Sequence, residues 1–383
     1  MSGTYDPERS STSKFVSNDF NISYVDGSGA LGEYRSDTLK IGGQELENLQ
    51  FGLGLASSSP EGILGIGYPI NEVQVHRNSR NPYPNLPQAM VDANLIKSSA
   101  YSLWLDDLES STGSILFGGI DTQKFKGELS TLPIQQEFGV FAEFIITLSS
   151  VGLTQNGKTK NFNSQDLPVP VLLDTGSSLT YLPNFLTQDI YNALQVEISD
   201  LGNGETAAYV DCRIADTDAT LDFTFTDPKI SVPMRELAIN PGPSMDGRYA
   251  AFPDGSPLCI FGISPADSDT AVLGDTFIRS AYIVYDLSNN EISIAQTDFN
   301  ATDSNVVEIG TGKEAVPSAT PVERPVEATV SETGGARINA PTGTITATGG
   351  TAAPTSGAVS STTGSFSNSL MVAGVAVMLF LYK

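Results

Sequence analysis

One carboxylate is set where it could do proton-transfer chemistry. In the run from Val171 to Pro183, three apolar residues (Val171, Leu172, Leu173) lead into Asp174, a Thr175-Gly176 turn follows, and an apolar strand resumes at Leu179, Tyr181 and Leu182. An acid between two buried strands is costly unless hydrogen bonds hold it. Gly176 lets backbone amides come close, and Thr175, Ser177 and Ser178 supply hydroxyls. A carboxylate held this way can serve as a general acid or base. A plainer reading is also open, in which Asp174 closes an Asx-turn on its own backbone. A second stretch, Ala271 to Phe277, again runs two bulky apolar residues into a glycine, Gly274, one hundred positions after Asp174. A third such element is Ile63-Leu64-Gly65, within Gly62 to Gly67.

The elements that must position these residues read as β-structure. At 383 residues the chain has room for two domains. With 36 Gly and 22 Pro, and Thr, Val and Ile in short alternating runs, an all-β fold is expected. Phe20 to Gly43 reads as strand, turn, strand, with Asp26-Gly27 as a hairpin signal. Tyr24 sits just before that turn, where cross-strand packing is the ordinary fate of a tyrosine. Residues 73–87 read as a polar surface loop, Leu86 to Ile96 and Leu186 to Ser199 as helices, and Asn289-Asn290 as a terminal hairpin turn.

Forty-four acidic against 20 basic residues leave a net charge of −24. That excludes nucleic acid as a natural partner and suits work in acid, where many carboxylates are protonated. The single histidine, His76, lies in a polar stretch and reads as a solvated loop residue, so histidine-dependent catalysis is not expected. No metal or other cofactor is expected. Cys212 and Cys259 are the only cysteines, and in an extracellular setting they would form one structural disulfide. Asn21-Ile22-Ser23 and Asn300-Ala301-Thr302 are glycosylation acceptors by pattern. Ser2 to Lys14 is polar and carries no apolar leader core.

Beyond Phe299 the composition changes. Residues 301–369 are dominated by Thr, Ser, Ala, Gly and Pro, too poor in bulky apolar groups to bury a core, and read as a disordered, extended stalk. Leu370 to Tyr382 is an apolar tail of thirteen residues, short against the ~20 that span a bilayer. With the small residues Ser356, Gly357 and Ala358 before a polar spacer, it fits a GPI-attachment signal. A retained hydrophobic anchor is the alternative.

Taken together, LLDTGSS at Leu172 to Ser178, AVLGDTF at Ala271, GILGIG at Gly62, the ISYVDGSG hairpin and the stalk with its tail resemble the pepsin-like aspartic proteases, in their fungal GPI-anchored, yapsin-like branch. The resemblance covers residues 3–300. It implies a bilobal all-β fold with a cleft between the lobes: an N-lobe over 1–133, incomplete, and a C-lobe over 134–300, followed by the stalk at 301–369 and the tail at 370–383. It also implies a monomeric, cell-surface endopeptidase acting on proteins or peptides and held to membrane or cell wall by its GPI anchor. Asp174 would be catalytic. Tyr24, Asp26, Thr175, Gly176 and Ser177 would bind substrate, with Asp26 either favouring basic side chains or serving only the turn. The mechanism of that family needs two carboxylates that share a proton. Only one Asp-Thr-Gly is present, and the spacing to Gly65 places its counterpart ahead of Met1, as if the first catalytic loop were cut away. The alternative function is therefore a catalytically inactive homologue that binds peptides or serves in the cell wall. A retroviral-type pairing of two chains is disfavoured by the two apolar-apolar-Gly elements and the single flap in one chain.

Overall fold

The computed structural model describes residues 4–24, 28–58, 62–78, 81–202, 205–244, 247–266, 271–328 and 330. Among these residues the strands form six sheets. The one that carries Asp174 runs in the order Ile263–Pro265, Thr180–Leu182, Ala271–Leu273, Val169–Leu173, Ile145–Leu148. Val169–Leu173 is apolar at every position and buried almost throughout, as a strand covered on both faces must be. It pairs in parallel with Ala271–Leu273, Val171 opposite Ala271 and Leu173 opposite Leu273. On its other edge it is antiparallel to Ile145–Leu148. Parallel neighbours need a crossover, and the long excursion between them holds the helix Asn184–Leu194, one further four-stranded sheet and two strands of another, Thr220–Thr224 and Lys229–Pro233.

The closed two-lobed arrangement expected from the sequence is not formed. The four sheets of four or more strands stand as separate blades. The largest takes strands from both sides of the expected 133/134 boundary: Ala100–Trp104, Ser114–Phe117 and Phe125–Pro133 from before it, Ala281–Asp286, Glu291–Thr297 and Ala319–Pro321 from after it. The reason is where apolar surface is available. One continuous core joins Tyr101 and Leu103 to Ile146, Val171 and Tyr285. By contrast the three-stranded sheet of Lys14–Ser23, Gly29–Ile41 and Gln44–Ser57 packs on a small cluster, Leu46 and Leu49 with Leu39 and Ile41 against Leu86 and Met90. So small a cluster cannot carry a lobe of its own.

Several local readings also change. Val73–Asn78, read as loop, is a short helix, and His76 lies on its backbone. The helix beginning at Leu86 closes at Asp92, with Asn85 capping its first turn. The helix Asn184–Leu194 stops because Gln195 adopts the left-handed conformation, so the chain to Ser199 enters the strand Glu197–Gly202 instead. Cys212 and Cys259 are joined, closing a loop across 47 positions. No helix among the described residues is long and apolar enough to cross a membrane, and the apolar tail lies outside the described residues.

The stalk does not begin at 301. Val306–Glu308 pairs with Gly119–Asp121, and Ala319–Pro321 pairs in parallel with Phe125–Pro133. Ile309 is fully buried against Trp104 and Ile120. The anchor is Asp121, whose carboxylate accepts Ser304 Oγ at 2.6 Å, Asn305 N at 2.8 Å and Gln123 N at 3.1 Å. Burial pushes this carboxyl up, but those hydrogen bonds outweigh it and hold the group below its ordinary value. Composition averaged over 301–369 hid the apolar residues Val306, Val307, Ile309 and Val316 at its start.

Two outcomes follow. Asp121→Ala removes the acceptor of three donors, Ser304 Oγ, Asn305 N and Gln123 N, at ~0.5–1.5 kcal/mol for each hydrogen bond lost, and limited proteolysis should then cut first between 301 and 310. Because the Asp121 carboxyl is depressed, its contribution is present above the unfolded carboxylate range and is lost as pH falls through the folded value. Cys212→Ala with Cys259→Ala should cost about 4 kcal/mol in denaturant unfolding, the chain-entropy figure for a loop of this length.

Candidate functional site

Asp174 leaves the end of its strand with its N–H on Leu273 O at 3.1 Å, while Leu173 N–H is taken by Phe144 O at 3.1 Å. The strand is thus pinned on both sides immediately before the carboxylate. Gly176 N donates to Asp174 Oδ1 at 2.9 Å and Ser177 Oγ donates to Oδ2 at 2.9 Å. Each carboxylate oxygen therefore has one fixed donor and one open direction. A side chain at Gly176 would crowd that arrangement, since a Cβ there would lie 3.2 Å from Asp174 Oδ1. Asp174, Thr175 and Ser177 are half-buried and Gly176 is exposed, so the loop reaches solvent.

The loop is locked from beneath by the second apolar-apolar-Gly element. Asp275 N donates to Ser177 O at 2.8 Å and Thr276 N to Ser178 O at 3.3 Å. Thr276 Oγ1, fully buried, donates to Gly262 O at 2.8 Å and lies 3.0 Å from Thr180 Oγ1. A Cβ on Gly274 would sit 2.3 Å from both Ser177 O and Leu179 O. Only glycine fits there.

Among the described residues the matching element in the first half has no such partner loop. Ile63 and Leu64 are 62% and 41% exposed, whereas Leu273 is 0% exposed. A Cβ on Gly65 would meet nothing within 4 Å. The same three-residue pattern is buried between two strands in one place and faces solvent in the other.

Tyr24, half-buried, closes its hairpin with an N–H to Ser28 O at 2.8 Å and belongs with the three-stranded sheet, not the sheet of Asp174. Asp26 lies outside the described residues. Asn300 donates its side-chain nitrogen to Asp107 Oδ2 at 2.9 Å, and Asn21 is exposed on Lys14–Ser23. Among the described residues no three His, Cys, Asp or Glu side chains gather to hold a metal.

Sequence reading missed Tyr285, Asp275 and Thr276. Tyr285 is 1% exposed and its hydroxyl has no hydrogen-bond partner. Burial, then the charges of Asp174 and Asp275, push its phenol well up. It stacks on Tyr101 at 5.0 Å and meets Phe144 edge-on at 4.7 Å. The signal for Asp275 was its place directly after Gly274; nothing in the strand Ala281–Asp286 marks Tyr285 as a neighbour of Asp174.

The two-aspartate endopeptidase expected from the sequence is corrected by this geometry. The 383 residues contain a single Asp-Thr-Gly, and no closed two-lobed cleft surrounds it. A lone carboxylate can take a proton from water, but the chemistry also needs a protonated neighbour to donate to the carbonyl oxygen. Among the described residues no second Asp-Thr-Gly loop stands beside Asp174 for two like charges to share that proton.

The model for eukaryotic aspartyl proteases matches residues 1–297. The chain is 53% identical over 348 residues to a relative described as probable aspartic-type endopeptidase opsB of Aspergillus fumigatus, covering 91% of this chain and 70% of that one. It is 36% identical over 305 residues to secreted aspartic protease 1 of Candida albicans, covering 79% of this chain and 70% of that one. Among solved structures, an aspartic proteinase from Irpex lacteus superposes with a TM-score of 0.62 at 19% identity, covering 79% of this chain and 87% of that one. At that identity the likeness concerns the course of the chain alone.

The contrast between the two glycines is directly measurable. Gly274→Ala should destabilise by ~3 kcal/mol or more, since the added methyl meets backbone on both sides. Gly65→Ala should change stability by less than about 0.5 kcal/mol, as at an open surface site. Urea unfolding of the two variants beside the parent checks both.

Proposed function

The chain belongs to the family of eukaryotic aspartyl proteases, and on that footing we propose that it is a non-hydrolytic member that binds extended peptides outside the cell. The observation that carries this reading is that the described sheets enclose no two-lobed cleft around Asp174, whose intact loop gives each carboxylate oxygen one donor and leaves it one open direction. An extended peptide brings unpaired backbone N–H and C=O groups that must find partners. Asp174 offers an acceptor, and Thr175 and Ser177 offer hydroxyls. Tyr24 would pack a side chain, and Asp26 would accept a basic one. The acidic balance of 44 against 20 residues draws basic peptides from a distance.

The extracellular setting is supported by the Cys212–Cys259 disulfide, since such bonds persist in oxidising compartments. The relative from Candida albicans is described as secreted. The small residues Ser356 to Ala358 and the apolar tail support attachment through a GPI anchor, with glycans at Asn21 and Asn300.

Binding and turnover separate in one experiment. The purified chain, titrated at pH 4.5 into fluorescent peptides carrying Lys or Leu at one position, should raise anisotropy while mass spectrometry finds the peptides uncut. Asp174→Asn should weaken binding by about tenfold, the worth of a hydrogen bond to a charged acceptor. Cleavage abolished by Asp174→Asn, or no binding at all, would refute the proposal.

A further inference from the structure

The strand of Asp174 is held on its outer edge by Ile145–Leu148, and the hairpin leading into that strand carries two buried acids. The chain turns at Phe138 and Gly139, both at positive φ, where Glu137 and Val140 exchange backbone hydrogen bonds of 2.9 Å. Gln135 N–H on Ile145 O, at 2.8 Å, closes the base of the hairpin. Glu137 is 4% exposed and Glu143 7% exposed. Phe144, next to Glu143, is the residue whose carbonyl takes Leu173 N–H, one position before Asp174. From the first half of the chain, Asn71 at the end of the turn Pro69–Asn71 donates Nδ2 to Glu143 Oε1 at 3.4 Å. The hairpin is therefore a joint between the first half and the strand that presents Asp174.

This joint is rich in acceptors and short of donors. Glu137 Oε2, Gln135 Oε1 and Asn71 Oδ1 are all buried without a hydrogen-bond partner. An ionised Glu137 adds charge to such a place, whereas a protonated one supplies a donor and removes its repulsion with Glu143. Burial first, then the charge of Glu143, push the Glu137 carboxyl up to about 7. The other groups around the joint are accounted for. Asn71 and Thr147 are neutral, and Glu72, just past the turn, is bonded by Tyr83 Oη at 2.9 Å and raised by its own burial.

We infer that Glu137 is a proton-operated clasp: protonated, it relieves the repulsion with Glu143 and steadies the 135–145 hairpin through which Glu143 and Phe144 hold the Asn71 turn and the strand of Asp174, and ionised, it loosens them. An unfolded glutamate ionises near ~4.3, so the folded chain keeps a proton that the unfolded chain has lost. The clasp therefore contributes fully below that value, and its contribution is lost as pH rises through about 7. The Asp174 loop is held firmly in acid and less firmly at neutral pH. This inference does not depend on peptide binding.

Hydrogen exchange on the full chain at pH 5 and pH 7.5, corrected for intrinsic rates, tests it. In the parent, peptides covering 69–73, 135–146 and 171–176 should open about tenfold more readily at pH 7.5, while Ala281–Asp286 stays protected. Glu137→Gln should abolish the difference with protection held at its acid level, and Glu143→Gln should shrink it by lowering the charge beside Glu137. Circular dichroism confirms folding of each variant, and if one fails to fold the other decides. Equal protection at both pH values, a uniform loss that includes 281–286, or a difference undiminished in either folded variant would overturn the clasp. Full recovery of protection at pH 7.5 on adding Ca²⁺ would also overturn it, because the acceptors would then be serving a cation.

Discussion

The carbonyls of Ser177 and Leu179 lie where a side chain on Gly274 would be, and that close approach governs the geometry around Asp174. Because the backbones can meet there, Asp275 and Thr276 place their N–H groups on the Asp174 loop, and Thr276 braces Thr180 and Gly262 below it. The parallel register of Val169–Leu173 with Ala271–Leu273 then fixes the height at which the carboxylate emerges. A loop bearing Gly, Ser and Thr would otherwise sample many conformations; here its entropy is spent against a rigid, buried sheet. The hydrogen bonds from Gly176 and Ser177 act on a carboxylate already in position.

What surrounds that loop decides what it can do. A single carboxylate with one fixed donor per oxygen keeps an open acceptor direction on each. It lacks the differential protonation that two adjoining acids impose on each other. The first half of the chain repeats the apolar-apolar-Gly pattern at Ile63-Leu64-Gly65 but leaves it facing solvent. The same short sequence can therefore be a keystone or a surface turn, depending on whether a strand lies beside it.

Acidity enters the structure in two opposite ways. Asp37 and Asp121 are ringed by donors that hold the ionised form: Tyr5 Oη and Thr38 N on Asp37, Ser304 and Asn305 on Asp121. Burial raises both carboxyls, but the hydrogen bonds prevail and depress them, Asp37 to about 2. Glu137 sits in a buried place with too few donors, and goes the other way. Burial raises all three; donors reverse the sign at Asp37 and Asp121, while deeper burial and the charge of Glu143 keep Glu137 raised.

The linear order of residues determined a good deal by itself. Asp174 in its Thr-Gly-Ser setting, the β-rich character, the hairpin turn at Asn289-Asn290 and the apolar runs at Tyr101 and Ile145 are all local, set by turn chemistry and by short-range patterning. Tertiary structure decided the rest. Whether Gly65 or Gly274 has a neighbour, whether residues 301–328 pack or trail, and whether strands at 100–133 close a lobe or join those at 281–321 are questions of which apolar surfaces meet. Tyr285 came to lie near Asp174, and Glu143 against Asn71, through contacts between residues seventy or more positions apart. Periodicity carries no information at that range. Burial of a shared core does, because its free energy depends on the surface removed from water and not on the distance along the chain.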